Sequence, residues 1–135
     1  MKYQVIYFSR KGNTKKVAET IASEIGVSAE DVNYARLKED TFVILGSGCY
    51  GSKPGKNLTK FMENNDFKSR NVALFSTSGR REGAEVKAME EELISRGAIV
   101  KDKFFCKGKF FLMNRGRPNK KDLDNAKEFA KNLKK

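Results

Sequence analysis

The chain contains no histidine, and its two cysteines, Cys49 and Cys106, form no Cys-x-x-Cys motif. We therefore expect neither a zinc site nor a reaction that depends on a histidine base. No run of about 18 apolar residues is present, so no membrane-spanning helix is expected. The opening stretch, Met-Lys-Tyr-Gln-Val-Ile-Tyr-Phe, is too short and too alternating for a signal peptide, and the sequence predicts a cytoplasmic protein.

Length and composition are typical of one small globular domain. The chain has 135 residues, of which 39% are hydrophobic and 33% charged, and we expect residues 1–135 to form a single domain. The net charge of +11 suggests a polyanionic partner: a nucleic acid, an acidic protein or a phosphorylated ligand. The alternative is a lysine-rich surface that is simply solvated. The lysines are spread through predicted helices and loops without a basic-aromatic RNA-binding motif, which disfavours nucleic acid.

Short apolar segments alternate with helical periodicity along the chain. Three segments have the near-continuous apolar character of strands buried on both faces: Tyr3–Phe8, Thr41–Gly46 and Asn71–Phe75. We interpret Ala98–Cys106 as the last strand. We interpret Asp31–Ala35 as a fifth, short edge strand. Apolar residues at helical spacing predict four helices, within 14–25, 58–62, 86–93 and, after Pro118-Asn119, 123–133.

Strands that alternate with helices form a parallel sheet with right-handed crossovers. Five such strands fit the order 2-1-3-4-5. The sequence therefore predicts the α/β class, as a three-layer αβα sandwich around a five-stranded parallel sheet.

Three loops rich in Gly, Ser and Thr follow strands 1, 3 and 4 of this predicted sheet. They are Ser9–Thr14, Ser47–Gly55 and Ser76–Gly79. In open α/β sheets, ligands bind beyond the carboxyl ends of the strands where the strand order reverses, which here lies between strands 1 and 3. Glycines permit close backbone approach of a planar ligand. We therefore expect the functional site where the three loops converge.

The first loop has the composition of a phosphate site, with the sequence Ser9-Arg10-Lys11-Gly12-Asn13-Thr14. Ser9 and Thr14 offer hydroxyls, and the helix that begins near Thr14 directs its N–H groups and positive dipole end at the loop. The loop is neither a Walker A motif nor Gly-x-Gly-x-x-Gly. A phosphate monoester suits this arrangement, and the alternative is an ordinary helix cap by Thr14.

The same loop resembles the phosphate loop of the flavodoxin family, Ser/Thr-x-Thr-Gly-Asn-Thr, and the other two loops lie where that family holds the flavin ring. The resemblance covers nearly the whole chain. It implies noncovalent FMN and electron transfer, with little bond chemistry by the protein's own side chains. The cofactor-binding residues that it implies are Ser9, Arg10, Lys11, Gly12, Asn13 and Thr14 in the first loop, Ser47, Gly48, Cys49, Tyr50 and Gly51 in the second, and Ser76, Thr77, Ser78 and Gly79 in the third.

The chain departs from the family pattern in charge and in aromatic content. Arg10 and Lys11 replace small residues in the first loop, and Arg80 and Arg81 crowd the third. The third loop has no aromatic residue, so Tyr50 is the candidate to stack on the flavin ring. The alternatives are an exposed loop tyrosine, or one that stacks on a base or on a partner.

The basic charge also changes the expected partner. Classical flavodoxins are similar to one another in their acidic docking surfaces, whereas this chain is strongly basic. We therefore expect a monomer that meets a redox partner protein of acidic charge.

The two cysteines are expected to be small buried hydrophobes. Both lie near carboxyl ends of strands, but strand 4 separates strands 3 and 5. Their chains are then roughly 9–10 Å apart, whereas a disulfide requires Cα atoms within about 7 Å.

Two other functions fit parts of the same pattern. One is a flavodoxin-like oxidoreductase acting on a quinone, a porphyrin or a similar small acceptor, for which the apolar segment Phe110–Met113 and the third loop would leave room. The other is a flavin-free module that binds a polyanion through a basic rim of Arg10, Lys11, Arg80, Arg81, Arg115 and Arg117.

Overall fold

The computed structural model describes residues 2–50, 53–78, 83–108 and 116–135. Within these residues lie five strands, β1 Lys2–Phe8, β2 Ala29–Asp31, β3 Thr41–Gly48, β4 Asn71–Ser78 and β5 Ile99–Lys107. The helices are α1 Asn13–Ile25, α2 Lys56–Glu63, α3 Ala84–Ser95 and α4 Lys120–Leu133. All strand pairs are parallel, in the order β2-β1-β3-β4-β5, which confirms the predicted topology.

Helices cover both faces of the sheet. On one face, Val5 and Phe75 pack with residues of α1 and α4. On the other face, Ile6 and Leu74 pack with residues of α2 and α3. Because neighbouring residues of the central strands are buried on opposite faces, these strands have near-continuous apolar sequences. The predicted three-layer sandwich is confirmed, and within the described residues no helix is long and apolar enough to cross a membrane.

The edge strand lies earlier than predicted. The interpretation of Asp31–Ala35 as a strand is wrong, because β2 is Ala29–Asp31. It ends there because the Asp31 Oδ1 accepts a hydrogen bond from the Asn33 N–H at 2.9 Å. Such side-chain bonds to the backbone two residues on turn the chain away from a strand.

The central strands β3 and β4 extend two and three residues beyond their predicted ends. Ser47 pairs with Ser76, and Gly48 pairs with Thr77. The backbone ladder continues because its hydrogen bonds do not depend on apolar side chains. The second and third predicted loops are therefore partly strand, and their first residues are rigidly placed.

Gly46 lies in the middle of β3, opposite Phe75 on β4. The phenylalanine ring covers this glycine so closely that a Cβ there would lie 2.0 Å from the nearest ring carbon. Phe75 itself is fully buried. Glycine within a strand commonly marks such a close approach, and the packing of this face depends on it.

The start of α4 combines a capping box with an ion pair. The Asn119 side chain accepts a hydrogen bond from the Asp122 N–H at 3.0 Å, and Asp122 accepts one from the Asn119 N–H at 2.8 Å. The Arg117 guanidinium donates to both carboxylate oxygens of Asp122. This guanidinium beside Asp122 holds the pKa of the carboxyl below its usual range. The helix start predicted at Pro118-Asn119 is confirmed.

Replacing Asp122 with asparagine should lower the free energy of unfolding by about 1–2 kcal/mol at neutral pH. The folded carboxyl has a lower pKa than the unfolded one, so it stabilises the fold fully above about pH 4 and less as the pH falls through the lowered value. Thermal melts of Asp122→Asn and wild type should differ most at neutral pH and less at pH 3. Asp124→Asn, an exposed neighbour on α4, is the control. A loss of thermal stability of the same size at neutral pH and at pH 3 would contradict this role of the ionised carboxyl.

Candidate functional site

A cleft opens where β1, β3 and β4 end. It measures about 190 Å³, and its lining consists of Ser9, Arg10, Lys11, Asn13, Thr14, Gly48, Cys49, Tyr50, Thr77 and Gly108. Nine of these ten residues are predicted site residues, and each predicted loop contributes at least one. Among the described residues, no Asp or Glu lines the cleft. The lining therefore offers hydroxyls, N–H groups and cations, which suits an anion.

The first loop brings the amino end of α1 to the cleft. The N-cap of this helix is Gly12, at φ +91°, a left-handed conformation that glycine adopts readily. Ser9 Oγ accepts a hydrogen bond from the Gly12 N–H at 3.0 Å, which closes the loop. Because no described side chain caps this end, the interpretation of Thr14 as an ordinary cap is wrong. An uncapped helix N-terminus is an arrangement that binds anions.

Thr14 and Thr77 join the first loop to β4. Their Oγ1 atoms lie 2.8 Å apart in a hydrogen bond, and the two residues are 2% and 5% exposed. One hydroxyl donates to the other, which leaves the second proton for another acceptor. The pair therefore provides a hydroxyl donor in the wall of the cleft.

Tyr50 lies across the first loop. The Arg10 N–H donates to its Oη at 3.3 Å, and the Arg10 guanidinium carbon lies 4.6 Å from the ring centroid, a cation–π contact. The Phe8 ring packs edge-on at 5.7 Å. Burial raises the pKa of the Tyr50 phenol, although the hydrogen bond and charge of Arg10 oppose this. The phenol is thus protonated at neutral pH, and its ring is half-buried, which contradicts the alternative of an exposed loop tyrosine.

Four described residues that we predicted for the site do not line the cleft: Gly12, Ser47, Ser76 and Ser78. Ser47 Oγ accepts a hydrogen bond from the Gly55 N–H at 2.9 Å and donates to the Gly48 carbonyl at 2.8 Å, so it ties the two ends of the second loop together. Ser76 Oγ donates to Glu85 Oε1 at 2.5 Å. These serines position the loops and do not face the cleft.

Some sequence predictions fall outside the described residues. They concern Gly51, Gly79, Arg80, Arg81, Arg115 and Phe110–Met113. Both cysteines are described and are thiols, Cys49 half-buried in the cleft wall and Cys106 buried in β5. In the described ranges, no group of His, Cys, Asp and Glu side chains is placed to hold a metal ion.

Sequence reasoning missed one residue of the cleft lining and one buried residue of α3. Gly108 lines the cleft, and its N–H donates to the Ser78 carbonyl at 3.1 Å. The sequence feature that could have identified Gly108 is its position directly after the last strand. Glu85 is fully buried, and its Oε2 has no hydrogen-bond partner among the described residues. A glutamate in the first turn of a helix ordinarily lies on the surface, so the sequence carries no signal for it.

Comparison with known proteins relates both the sequence and the fold to flavodoxins. Residues 4–114 match the sequence model of the flavodoxin domain family. The chain is 31% identical to an uncharacterised protein of Methanocaldococcus jannaschii, over 98% of each chain. It is 29% identical to a flavodoxin of Clostridium beijerinckii, over 72% of this chain and 79% of that one. The fold is similar to that of a flavodoxin from the domain Archaea, with a TM-score of 0.85 and 25% identity over 98% and 96% of the two chains.

Proposed function

The chain belongs to the flavodoxin domain family, and we propose that it binds FMN noncovalently in the cleft and carries electrons between proteins. The proposal assigns the phosphate to loop 9–14 and the flavin ring to the space between the second and third loops. It treats residues 1–135 as one domain. The observation that carries it is the buried Thr14–Thr77 hydroxyl pair beside the uncapped start of α1.

The donors of the cleft fit a phosphate monoester. Thr14 and Ser9 supply hydroxyls, and α1 supplies N–H groups at the positive end of its dipole. Arg10 and Lys11 add cationic charge, and no carboxylate opposes them in the described lining. Hydrogen bonds from such donors to a charged oxygen are roughly twice as strong as neutral ones.

Glycines at two positions of the lining allow neighbouring side chains of the cleft to approach closely. A Cβ on Gly48 would lie 2.9 Å from Tyr50 Oη, and a Cβ on Gly108 would lie 3.1 Å from Asn13 Nδ2. A larger residue at either position would narrow the cleft. The residues present therefore fit a phosphate joined to a planar ring.

In this proposal the protein binds and orients FMN. The bound FMN supplies the redox chemistry, because its ring accepts and releases electrons. The Thr14 hydroxyl donates to the phosphate. Tyr50, which lines the cleft beside Gly48, is the described aromatic side chain in position to stack on the ring. Its raised pKa keeps it neutral.

Parallel titrations with FMN and riboflavin test the proposal, with ring fluorescence and absorbance as readouts. Riboflavin lacks the phosphate, so FMN should bind at least about 100-fold more tightly, because two hydrogen bonds to a charged group contribute about 3 kcal/mol or more. Equal affinities would contradict the role assigned to loop 9–14. A protein that takes up neither compound would contradict the function and favour the flavin-free polyanion-binding module.

Steady-state kinetics separate the carrier from a flavin-dependent reductase. A carrier should be reduced through a partner protein and should oxidise NADH or NADPH only slowly when a small acceptor is added. Rapid turnover with a quinone or a porphyrin would favour the reductase.

A further inference from the structure

The end of the molecule that holds the cleft carries nearly all of its excess positive charge. Ten Lys and Arg, and no Asp or Glu, occur in the segments 9–16, 53–56, 107–108 and 116–121, which we call the cleft-end face. These segments lie at or beyond the carboxyl ends of β1, β3 and β5 or at the start of α1, α2 and α4. The rest of the chain holds 18 Lys and Arg against 17 Asp and Glu. The cations are thus spread through helices and loops in the sequence, while the excess over acidic residues falls in these four segments.

Most of these cations face solvent. The exposed ones are Arg10, Lys11, Lys15, Lys16, Lys53, Lys56, Lys120 and Lys121. Arg117 is paired with Asp122. The other two ion pairs between described residues, Arg96–Glu92 and Lys103–Glu90, lie outside the cleft-end face. A cationic surface thus surrounds the cleft.

Several lysines of this face occupy positions that work against helix stability. The first turns of three helices contain Lys15, Lys16, Lys56, Lys120 and Lys121. A helix N-terminus carries partial positive charge, so acidic side chains stabilise it and basic ones destabilise it. The first turns of α1 and α2 contain no acidic residue. Stability does not explain this placement, whereas recognition of an anionic surface does.

We propose that the cleft-end face docks an acidic redox protein, which exchanges electrons with FMN held in the cleft. This inference rests on the proposed function, because the charge surrounds the cleft assigned to FMN. Opposite charges on two faces accelerate their encounter and orient them. A partner held on this face lies next to the cleft, where the distance for electron transfer is short.

An acidic protein fits this face better than a single-stranded nucleic acid. Proteins that bind single strands stack bases on exposed aromatic rings. The four segments of the cleft-end face contain no aromatic residue, and the proposed function assigns Tyr50, in the cleft, to the flavin ring. The segments of this face therefore offer charge without an aromatic ring on which a base could stack.

Electron transfer from the FMN-loaded protein, reduced with dithionite, to two probes of opposite charge tests the docking. Acidic rubredoxin and basic cytochrome c each accept one electron, which converts one ferric iron to ferrous iron. In stopped-flow measurements, the rate constant with rubredoxin should fall about tenfold or more as salt rises from about 10 to about 500 mM. The rate constant with cytochrome c should rise over the same range.

Two matched triple variants locate the charge that matters. The test variant carries Lys56→Glu, Lys120→Glu and Lys121→Glu, and the control carries Lys2→Glu, Lys68→Glu and Lys101→Glu, all at exposed lysines. The test variant should react with rubredoxin about tenfold more slowly at low salt and should melt at a higher temperature, because it now matches the helix dipoles. The control should change the rate less than about twofold. FMN uptake, measured separately by titration, should be unchanged in both.

Three outcomes would overturn the inference. Equal slowing in both triple variants would show that only net charge acts. An unchanged rubredoxin rate in the test variant, with lost affinity for a single-stranded oligonucleotide, would assign the face to nucleic acid. Failure of the wild type to take up FMN would overturn the proposed function, and with it the docking inference, and the titration identifies this case independently.

Discussion

The Thr14→Val variant should bind FMN about 10- to 100-fold more weakly than the wild type, while its affinity for riboflavin changes little. Thr14 lines the cleft, and its Oγ1 lies 2.8 Å from Thr77 Oγ1. A hydrogen bond to a charged group contributes about 1.5–3 kcal/mol, and each 1.4 kcal/mol is about a factor of ten in Kd. Fluorescence titration of both flavins measures the two affinities.

The riboflavin measurement separates phosphate binding from damage to the fold. Valine also removes the partner of the buried Thr77 hydroxyl, which should cost about 1 kcal/mol of stability. Thr20→Ala is the matched control, because Thr20 lies on the same helix, donates to the Lys16 carbonyl and does not line the cleft. Equal losses for FMN and riboflavin would show that Thr14 only supports the cleft, contrary to its assigned role.

The Gly46→Ala variant should lose about 3 kcal/mol of unfolding free energy and melt about 10 °C below the wild type. An added Cβ would lie 2.0 to 2.4 Å from three ring carbons of Phe75. The ring is fully buried within the core between the sheet and α1 and α4, so it cannot move aside without displacing other side chains. Thermal and denaturant unfolding measure the loss.

A second substitution identifies the contact responsible. Gly46→Ala combined with Phe75→Leu should recover part of the loss, because the smaller side chain removes the overlap, and the two effects should not add. Gly116→Ala, at an exposed glycine with no atom near its added Cβ, should cost only about 1 kcal/mol through its positive φ. A Gly46→Ala variant as stable as Gly116→Ala would contradict the packing argument.

The strand order could be predicted because the apolar pattern of the sequence and the topological rules for parallel sheets lead to the same arrangement. β1 and the first part of β3 are apolar runs, each followed by a turn that contains glycine, and right-handed crossovers leave few arrangements of such strands. The edge strand was misplaced because the Asp31 side chain ends it through a bond to the Asn33 N–H. This hydrogen bond turns the chain away from a strand, and the pattern of apolar residues carries no information about it.

The site was predictable in position but not in the direction of its side chains. The loop Ser9–Thr14 lies at the cleft as predicted. Successive residues of a strand point to opposite faces, so Thr77 faces the cleft whereas Ser76 does not. Assigning these directions requires the true ends of β3 and β4, which only the pairing of the two strands reveals.

The burial of Glu85 and the cleft-end face could not be predicted, for a different reason. Both depend on which segments of the chain meet in three dimensions, whereas composition gives only the number of charges. The lysines that begin α1, α2 and α4 are far apart in sequence and share one end of the sheet because all three helices run antiparallel to its strands. In this parallel sheet, lysines that are far apart in sequence therefore lie on one surface.

The hydrogen bond from the Arg10 N–H to Tyr50 Oη joins the loop proposed for the phosphate to the aromatic side chain proposed for the ring. The Arg10 guanidinium also lies over the Tyr50 ring, 4.6 Å from its centroid. One residue of the phosphate loop therefore contacts the side chain at the other end of the proposed site. In the proposed function, a phosphate oxygen that accepts from the Arg10 N–H competes with the Tyr50 phenol, so occupation of the phosphate end is coupled to the contacts of Tyr50.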